Sequence, residues 1–315
     1  MGFEGTSWSN FQENKRNDKI DFQKEKILIW HVQGGLGKNV AATALISDLK
    51  RKYADRKIIM VVSWPEVFLN LRTIDKLYHL GHTPHFYDDF LNNKDVIVFQ
   101  HEAYNQTAHV QKSKHLIENW CDLMDLEYTT QKPQLIINYA QQQLAQMWIR
   151  EKPTLILHSN GGPMKGQKYS YNWCRDIPFE LTKTIVDNFY KDFHIFHICR
   201  PESPKLENVE RLDQPMNNME LFSILATSSK RVLIDSCLQH AAASFNKNST
   251  VLWIGTSPKV FGYNIHNNIV ANEPKVANQR LSSYMFDYQF ENNLHECPYL
   301  SAPEMFNFNQ VLEAI

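Results

Sequence analysis

The sequence has little net charge, no closely spaced cysteines and no long apolar run. Its 315 residues include 33 Lys and Arg against 34 Asp and Glu, so no global field favours a nucleic acid or an anionic membrane. The five cysteines are far apart and include no Cys-x-x-Cys pair, which predicts reduced thiols rather than a metal site or a disulfide framework. The apolar run at residues 58–62 is too short to cross a membrane. These absences predict a cytoplasmic protein without a membrane span.

The length is sufficient for two domains that each bury a core of their own. Residues 1–23 are polar, rich in charge and poor in large aliphatic side chains, so we expect a peripheral arm. The patterns that follow divide the chain into domains at residues 24–150 and 151–315. The expected join lies near residues 131–153, with the helical pattern at 138–150 as the last element of the first domain.

Short apolar runs alternate with helical patterns in both halves. Uniformly apolar runs are typical of buried parallel strands, and the sequence has them at residues 26–33, 57–62, 95–99, 153–158, 193–199, 231–234 and 250–254. Helical spacing separates several of them, for example at residues 40–50, 178–190 and 238–245. The alternation predicts an α/β protein with two Rossmann-like, doubly wound domains that face each other across a cleft. The closing segment, residues 306–315, is expected to pack back onto the first domain.

A glycine turn follows the first predicted strand. It contains Gly34, Gly35 and Gly37, and Lys38 follows directly. Glycines allow close backbone approach, and the next helix offers free amide groups to an anion. One interpretation is a deviant P-loop ATPase, although Asn39 lacks the hydroxyl that ligates magnesium. The alternative is a turn with a purely structural role.

A second candidate segment begins with Asp235 and Ser236, after the strand at 231–234. The first turn of the predicted helix presents the amides of Ser236 and Cys237, with His240 on the same face. Such a turn suits a diphosphate. Alternatively, Asp235 and Ser236 only cap the helix and His240 is a partly buried polar residue.

The third candidate segment is the loop at residues 158–173, which follows another strand. Lys165 and Lys168 lie in it and are expected to screen phosphate charge at the same edge of the sheet. Surface lysines that are only solvated are the alternative.

Taken in order, these segments resemble the family 9 glycosyltransferases, the heptosyltransferases of lipopolysaccharide synthesis, which have the two-domain GT-B fold. The stretch from Gly34 to Val62 resembles that family's first turn, helix and second strand. Residues 172–181 are similar to its Lys-x-Trp-Pro segment. Residues 235–243 and 251–258 resemble its donor-binding motif, Asp-[Ser/Thr]-Gly-x-x-His-x-x-Ala, with Cys237 at the place of the glycine.

The resemblance implies an inverting transfer of a sugar from a nucleotide-sugar donor, bound by the second domain, to an acceptor hydroxyl. Because the sequence has no Asp-x-Asp metal motif in the right place, we expect no metal and no cofactor, and we expect the helix amides, Ser236, His240 and Lys165 or Lys168 to meet the charge of the leaving diphosphate. In the family an aspartate after the glycine turn acts as the general base, but here that position holds Lys38, and a lysine replaces a carboxylate base only if its pKa is strongly lowered. The base candidates are therefore Glu102, which we favour, His101, Asp88 and Asp89. Lys38 is then expected to bind a phosphate of the acceptor or donor.

The acceptor remains open between a saccharide, lipopolysaccharide and a modified DNA base. A DNA acceptor would need phosphate contacts from the cations near the end of the first helix, Lys50, Arg51, Lys52, Arg56 and Lys57. Solvated charges at a helix end are the simpler interpretation of these residues. Two further hypotheses are the ATPase and a catalytically inactive binding protein that keeps the fold.

Overall fold

The computed structural model describes residues 24–161, 173–212, 216–274 and 297–315, together with two short backbone strands between the last two ranges. Its strands are β1 Lys26–Val32, β2 Lys57–Val62, β3 Lys76–His79, β4 Asp95–Phe99, β5 Thr154–His158, β6 His194–Ile198, β7 Glu210–Arg211, β8 Lys230–Ile234, β9 Thr250–Trp253, β10 Asn267–Val270, β11 Gln289–Phe290 and β12 Asn293–Leu294.

The α-helices are α1 Leu36–Ala42, α2 Ile46–Lys52, α3 Phe86–Phe90, α4 Thr107–Val110, α5 Leu116–Leu123, α6 Tyr139–Gln146, α7 Phe179–Phe189, α8 Asn218–Thr227, α9 Cys237–Ser244, α10 Pro258–Phe261, α11 Ala302–Met305 and α12 Phe308–Glu313. Short 3₁₀ turns lie at Thr43–Leu45, Pro65–Val67 and Ala103–Asn105. No helix among the described residues combines the length and the apolar character needed to cross a membrane.

Two parallel sheets form the framework. The first has the strand order β3-β2-β1-β4, and the second has the order β10-β9-β8-β5-β6-β7. All of their strand pairs are parallel. Parallel strands are covered on both faces, which explains why the residues of β1, β2, β5 and β8 are almost uniformly apolar and buried. The predicted α/β architecture with two doubly wound units is confirmed.

The two units meet through helices α1 and α9. Both helices are rich in alanine, and the small buried side chains of Ala41, Ala42, Ala241 and Ala242 belong to one core cluster that spans the interface. Small residues allow two helix backbones to approach closely. A second cluster fills the opposite face of the second sheet, beneath α7 and α12.

The closing segment lies on the second unit, so the prediction that it returns to the first is wrong. Phe306 and Val311 are buried in the cluster beneath α7. The hydroxyl of Thr250 donates to the carbonyl of Ala314 at 2.6 Å. The apolar residues of α12 complete the core on this face of the second sheet.

Helix α6 also differs from its predicted placement as the last element of the first domain. It packs against α8 of the second unit. Its capping box at Asn138 and Gln141 sets the start of the helix, but neither residue specifies which sheet the helix covers.

Candidate active site between the two sheets

Each sheet has a topological switch point, where a crevice opens at the carboxyl ends of two neighbouring strands. In the first sheet β1 lies between β2 and β4, and in the second β5 lies between β8 and β6. The chain leaves β1 toward β2 and leaves β5 toward β6, so the connections diverge between β1 and β4 and between β5 and β8. Open α/β sheets bind ligands at such positions. The segments that follow these four strands therefore define the candidate site.

The glycine turn after β1 is held by protein groups on several sides. Gly34 has a φ of +108°, a conformation that side chains rarely adopt. Its amide donates to the hydroxyl of Ser63 at 3.1 Å, and its carbonyl accepts from the indole of Trp64 at 3.0 Å. The side-chain amide of Asn39 donates to the carbonyl of Gly35 at 3.0 Å. Asn39 therefore stabilises the turn from inside, where a P-loop has a hydroxyl that ligates a metal ion.

Gly37 lies directly against the start of α9. A Cβ at this position would be 3.2 Å from Cδ2 of His240 and 3.3 Å from the backbone nitrogen of Cys237. The first turn of α1 is thus covered by the second unit, and a phosphate cannot lie over Gly37 as it would in a P-loop. This packing argues against the ATPase hypothesis.

Lys38 and Glu102 form a buried ion pair at the first switch point. Lys38 follows β1, Glu102 follows β4, and Nζ of the lysine contacts both carboxylate oxygens, at 2.5 Å from Oε1. Lys38 is only 8% exposed, whereas the side chain of Glu102 is 28% exposed. Burial lowers the pKa of Lys38, and the carboxylate of Glu102 opposes that shift.

The surroundings hold both members of this pair in place. The Glu102 carboxylate caps the next turn by accepting from the amide of Tyr104 at 3.2 Å. The ammonium of Lys38 lies 4.7 Å from the centre of the Tyr104 ring, a cation–π distance. The carboxylate of Glu102 thus lies beside Lys38, the position at which the resemblance implies an aspartate. It comes from the segment after β4 and not from the glycine turn.

The other predicted base candidates are not part of this pair. His101 is exposed next to Glu102. Asp88 and Asp89 are exposed on α3, and Phe90 of the same helix packs on the face of the first sheet that lies away from the second unit. Among the predicted acids and bases, only Glu102 contacts Lys38.

The second switch point brings together Asp235, Ser236 and His158. The hydroxyl of Ser236 caps α9 by accepting from the amide of Leu238 at 3.3 Å, and it bonds to Nδ1 of His158 at 3.1 Å. Burial lowers the pKa of His158 to about 3, so its imidazole is neutral at pH 7. Asp235 is 7% exposed, and within the described ranges its Oδ2 atom has no hydrogen-bond partner. Burial raises the pKa of this carboxyl, while Arg175 and Thr256 oppose the shift.

The structure places Cys237 and His240 inside the interface between the units. Burial raises the pKa of the Cys237 thiol to about 12, so the thiol stays protonated. Nδ1 of His240 bonds to the Tyr263 hydroxyl at 2.8 Å, and Nε2 lies 3.1 Å from Nε2 of Gln239. Burial lowers the pKa of His240 to about 3. His240 is therefore a neutral residue with protein partners on both ring nitrogens, and it carries no positive charge toward a phosphate.

Arg175, which the sequence analysis overlooked, is a cation at this crevice. Its charge opposes the rise in pKa of Asp235 and of Cys237, and that of Tyr104 in the first unit. Its side chain lies against Gly161, where a Cβ would be 2.7 Å from Cδ of the arginine. No local sequence signal pointed to it.

A buried ion pair holds the backbone around Arg175. The neighbouring residue Asp176 bonds to Arg200, which follows β6, and both side chains are almost fully buried. Oδ1 of Asp176 also accepts from the amide of Gly161 at 3.0 Å. These contacts join the loops after β5 and β6 and so fix the position of Arg175 between them.

Lys165 and Lys168 lie outside the described residues, so their predicted role remains a prediction. The cations near the end of α2 each have an acidic partner: Lys50 with Asp75, Arg51 with Asp48, Lys52 with Asp125, Arg56 with Asp95, and Lys57 with Glu25. This surface is therefore charge-balanced. Across the described ranges, no cluster of three or more His, Cys, Asp or Glu residues is arranged to hold a metal ion.

The sequence matches no protein-family model and no curated protein. Solved structures do match it. A family 9 glycosyl transferase from Veillonella parvula superposes with a TM-score of 0.60 over 78% of this chain and 86% of that one, at 13% identity. The chain has a glycosyltransferase fold.

Two further structures share this fold. ADP-heptose LPS heptosyltransferase II of Escherichia coli matches with a TM-score of 0.55 at 13% identity, over 78% of this chain and 90% of that chain. The iron-containing dodecameric glycosyltransferase TibC of enterotoxigenic E. coli matches with a TM-score of 0.62 at 10% identity, over 92% of this chain and 76% of that chain. The expected GT-B architecture is thus confirmed by structural likeness.

Proposed function

We propose that this protein is a glycosyltransferase that takes a sugar from a nucleotide-sugar donor at the second switch point and transfers it to an acceptor at the first. The observation that carries the proposal is the meeting of these two crevices. The glycine turn of the first crevice lies against the start of α9, where a Cβ at Gly37 would be 3.3 Å from the backbone nitrogen of Cys237. Burial raises the pKa of Tyr104, and the charges of Asp235 and Glu102 add to that rise, so the two crevices are within electrostatic reach of each other.

On the acceptor side, Glu102 acts as the general base. A base must reach the hydroxyl proton that it removes, and the partly exposed carboxylate of Glu102 is accessible to a bound acceptor. Lys38 and the Tyr104 amide fix the direction of that carboxylate. Lys38 is thus a positioning residue, and no phosphate contact is assigned to it.

On the donor side, the diphosphate binds at the start of α9. The amide of Cys237 lies against Gly37 and that of Leu238 bonds to Ser236, so the hydroxyl of Ser236, at the same terminus, is the group that contacts the ligand. Arg175 supplies the positive charge that stabilises the leaving group as the bond to the sugar breaks. With an arginine in this role, the proposed transfer needs no metal ion.

The reaction is a single displacement. The acceptor oxygen forms a bond to the anomeric carbon as its proton passes to Glu102. The bond between that carbon and the phosphate oxygen breaks, and the nucleoside diphosphate leaves with the electron pair. Attack from the side opposite the leaving group inverts the anomeric configuration.

An ADP-sugar is the first donor to test, because one TibC structure with this fold is a complex with ADP-D-β-D-heptose. The proposed acceptor is a saccharide hydroxyl, such as one of lipopolysaccharide core. A DNA acceptor is less well supported, because the cations that would contact phosphates already bond to carboxylates.

A thermal-shift and hydrolysis screen tests the proposal. Purified protein is incubated with ADP-, UDP-, GDP- and CMP-sugars and with ATP and magnesium, because a ligand that binds the native state raises Tm. We expect stabilisation and slow sugar release with one class of sugar nucleotide. Stabilisation by ATP and magnesium with phosphate release would instead support an ATPase. Absence of any response would support an inactive binding protein.

A further inference from the structure

The segment around α6, residues 133–149, is uncharged and largely exposed. It contains no Asp, Glu, Lys, Arg or His. Helix α6 packs against α8, and Ala145 is its buried residue. A helix at the surface of a globular protein normally carries charged residues on its outer face. The outer face of α6 has none, so we searched it for the features of a contact surface.

Large apolar side chains are exposed along this segment. Tyr139 is 75% exposed and Met147 is 74% exposed, and they lie about two helical turns apart on one side of α6. Leu69 of the first unit adjoins them, because the neighbouring residue Asn70 donates to the carbonyl of Ile136 at 2.7 Å. We call the following exposed residues the apolar ridge: Leu69, Ile136, Tyr139, Leu144, Met147 and Ile149.

The apolar ridge is large enough for a stable contact between proteins. At about 200 Å² for a large side chain, its members together expose roughly 700 Å². Soluble monomers rarely expose a contiguous apolar patch larger than a few hundred Å², whereas each partner of a stable dimer buries about 800 Å². Exposed glutamines at positions 142, 143 and 146 supply the remaining area. The ridge thus has the size of one half of a dimer interface.

The segment ends in two charges of opposite sign. Lys132 precedes it and bonds to the neutral side chain of Asn246. Glu151 follows it and is exposed. Arg150, which lies between the segment and Glu151, is already paired with Glu210. Within the part of the chain that the structure describes, neither Lys132 nor Glu151 forms a salt bridge.

We propose that a second copy of this chain covers the apolar ridge, with the two α6 segments antiparallel about a two-fold axis. In a two-fold dimer residue i contacts residue j of the partner, and j contacts i. An uncharged segment meets its own copy without repulsion. The antiparallel arrangement places Lys132 near the partner's Glu151 at both ends of the contact, so the two unpaired charges are matched. This inference goes beyond the proposed function and does not depend on it.

Analytical ultracentrifugation of the full chain tests the dimer. We expect the wild type to be dimeric at about 10 µM. Met147→Glu should raise the dissociation constant at least about 100-fold, because it buries an unpaired carboxylate in the contact. The exposure of Met147 means that the monomer tolerates this change. Leu300→Glu, on a side chain that is 83% exposed outside the ridge, is the control and should stay dimeric. A monomeric wild type, or a dimer that Met147→Glu leaves unchanged, would overturn the proposal.

Charge reversal tests the antiparallel arrangement. Lys132→Glu and Glu151→Lys each bring like charges together at both ends of the contact, so each should raise the dissociation constant about tenfold. The double variant restores opposite charges and should recover a dissociation constant close to that of the wild type. Lys205→Glu, at an exposed position elsewhere, should change nothing. If the double variant dissociated as readily as the single ones, the antiparallel arrangement would be wrong.

Discussion

The two crevices differ in the charges of the side chains that line them. The first contains a formal ion pair, Lys38 with Glu102, of which the lysine is buried and the carboxylate partly exposed. The second is lined by neutral groups, because burial lowers the pKa values of His158 and His240 to about 3. Arg175 is a cation there.

The difference matches the two halves of a transfer reaction. A base must be ionised and accessible to the acceptor before the reaction. The ion pair with Lys38 holds the carboxylate of Glu102 in one position. A site for a diphosphate instead gains from a cation such as Arg175, because additional fixed carboxylates would repel the ligand. Asp235 is the exception, and burial raises the pKa of its carboxyl.

Removal of the base should have the largest effect. Glu102→Gln keeps the shape of the side chain and its bond to the Tyr104 amide but cannot take a proton. General-base catalysis contributes about 10²- to 10⁴-fold, so we expect turnover to fall by that range, with donor binding largely intact. Single-turnover kinetics and donor titration measure the two quantities.

Asp88→Asn is the matched control, because Asp88 is an exposed carboxylate on α3. Its turnover should equal that of the wild type. Equal activity of Glu102→Gln and the wild type would remove Glu102 from the mechanism.

Removal of the cation should have the next largest effect, on the donor side only. Arg175→Ala loses a charged hydrogen-bond donor, and such contacts contribute about 1.5 to 3 kcal/mol. We expect nucleoside diphosphate affinity to fall about 10- to 100-fold. Arg175→Lys should recover part of it, and Arg51→Ala, on the exposed surface of α2, should change nothing. If Arg175→Ala reduced the affinity for the nucleoside without phosphates by the same factor, Arg175 would not be the residue that contacts the diphosphate.

The contact between the crevices can be tested at the glycine turn. A Cβ at Gly37 would press against His240 and Cys237, whereas a Cβ at Gly35 meets nothing within 4 Å. Overpacking typically costs about 1 to 3 kcal/mol, so Gly37→Ala should lower the free energy of unfolding by that amount. Gly35→Ala should be close to neutral. Equal stabilities in urea unfolding would mean that the two units do not pack this closely.

The smallest expected effect is a pH dependence of stability. The pKa of His240 is 6.5 in its ordinary state and about 3 in the folded protein. Between these values the unfolded chain binds a proton that the folded chain does not, so the free energy of unfolding decreases as pH falls. One such histidine contributes a loss of about 1 kcal/mol between pH 7.5 and 5.5.

His240→Asn should therefore flatten this pH dependence, whatever it does to stability at pH 7.5. His82→Asn, at an exposed position, should leave the slope as in the wild type. Parallel slopes for His240→Asn and the wild type would show that His240 is not kept neutral by burial.

Much of the fold follows from local sequence patterns. Strands β1, β2, β4, β5, β6, β8 and β9 coincide with apolar runs that are visible in the sequence. Most of them are central strands covered on both faces, which favours apolar residues, whereas β4 is a partly exposed edge strand. β3 and β7 are short edge strands without such runs, and the patterns gave no sign of them. The family resemblance added the assignment of the donor to the second unit, which hydrophobic periodicity alone does not specify.

The site was only partly predictable. Ser236 caps the predicted helix as expected, and Glu102 lies at a strand end where a base was expected. Their contacts came only from the structure, since Lys38 and Glu102 are 64 positions apart. Arg175 was missed because no local pattern distinguishes a functional arginine from a solvated one.

The sequence by itself determined the strands, the glycine turn and the cap of α9, because these depend on residues a few positions apart. Only the tertiary structure decided that Lys38 forms an ion pair with Glu102 and that His240 is neutral. Both outcomes depend on burial between the two units, and burial arises from the packing of α1 against α9. The same packing explains why Gly37 has no space for a side chain, whereas Gly35, two residues away, does.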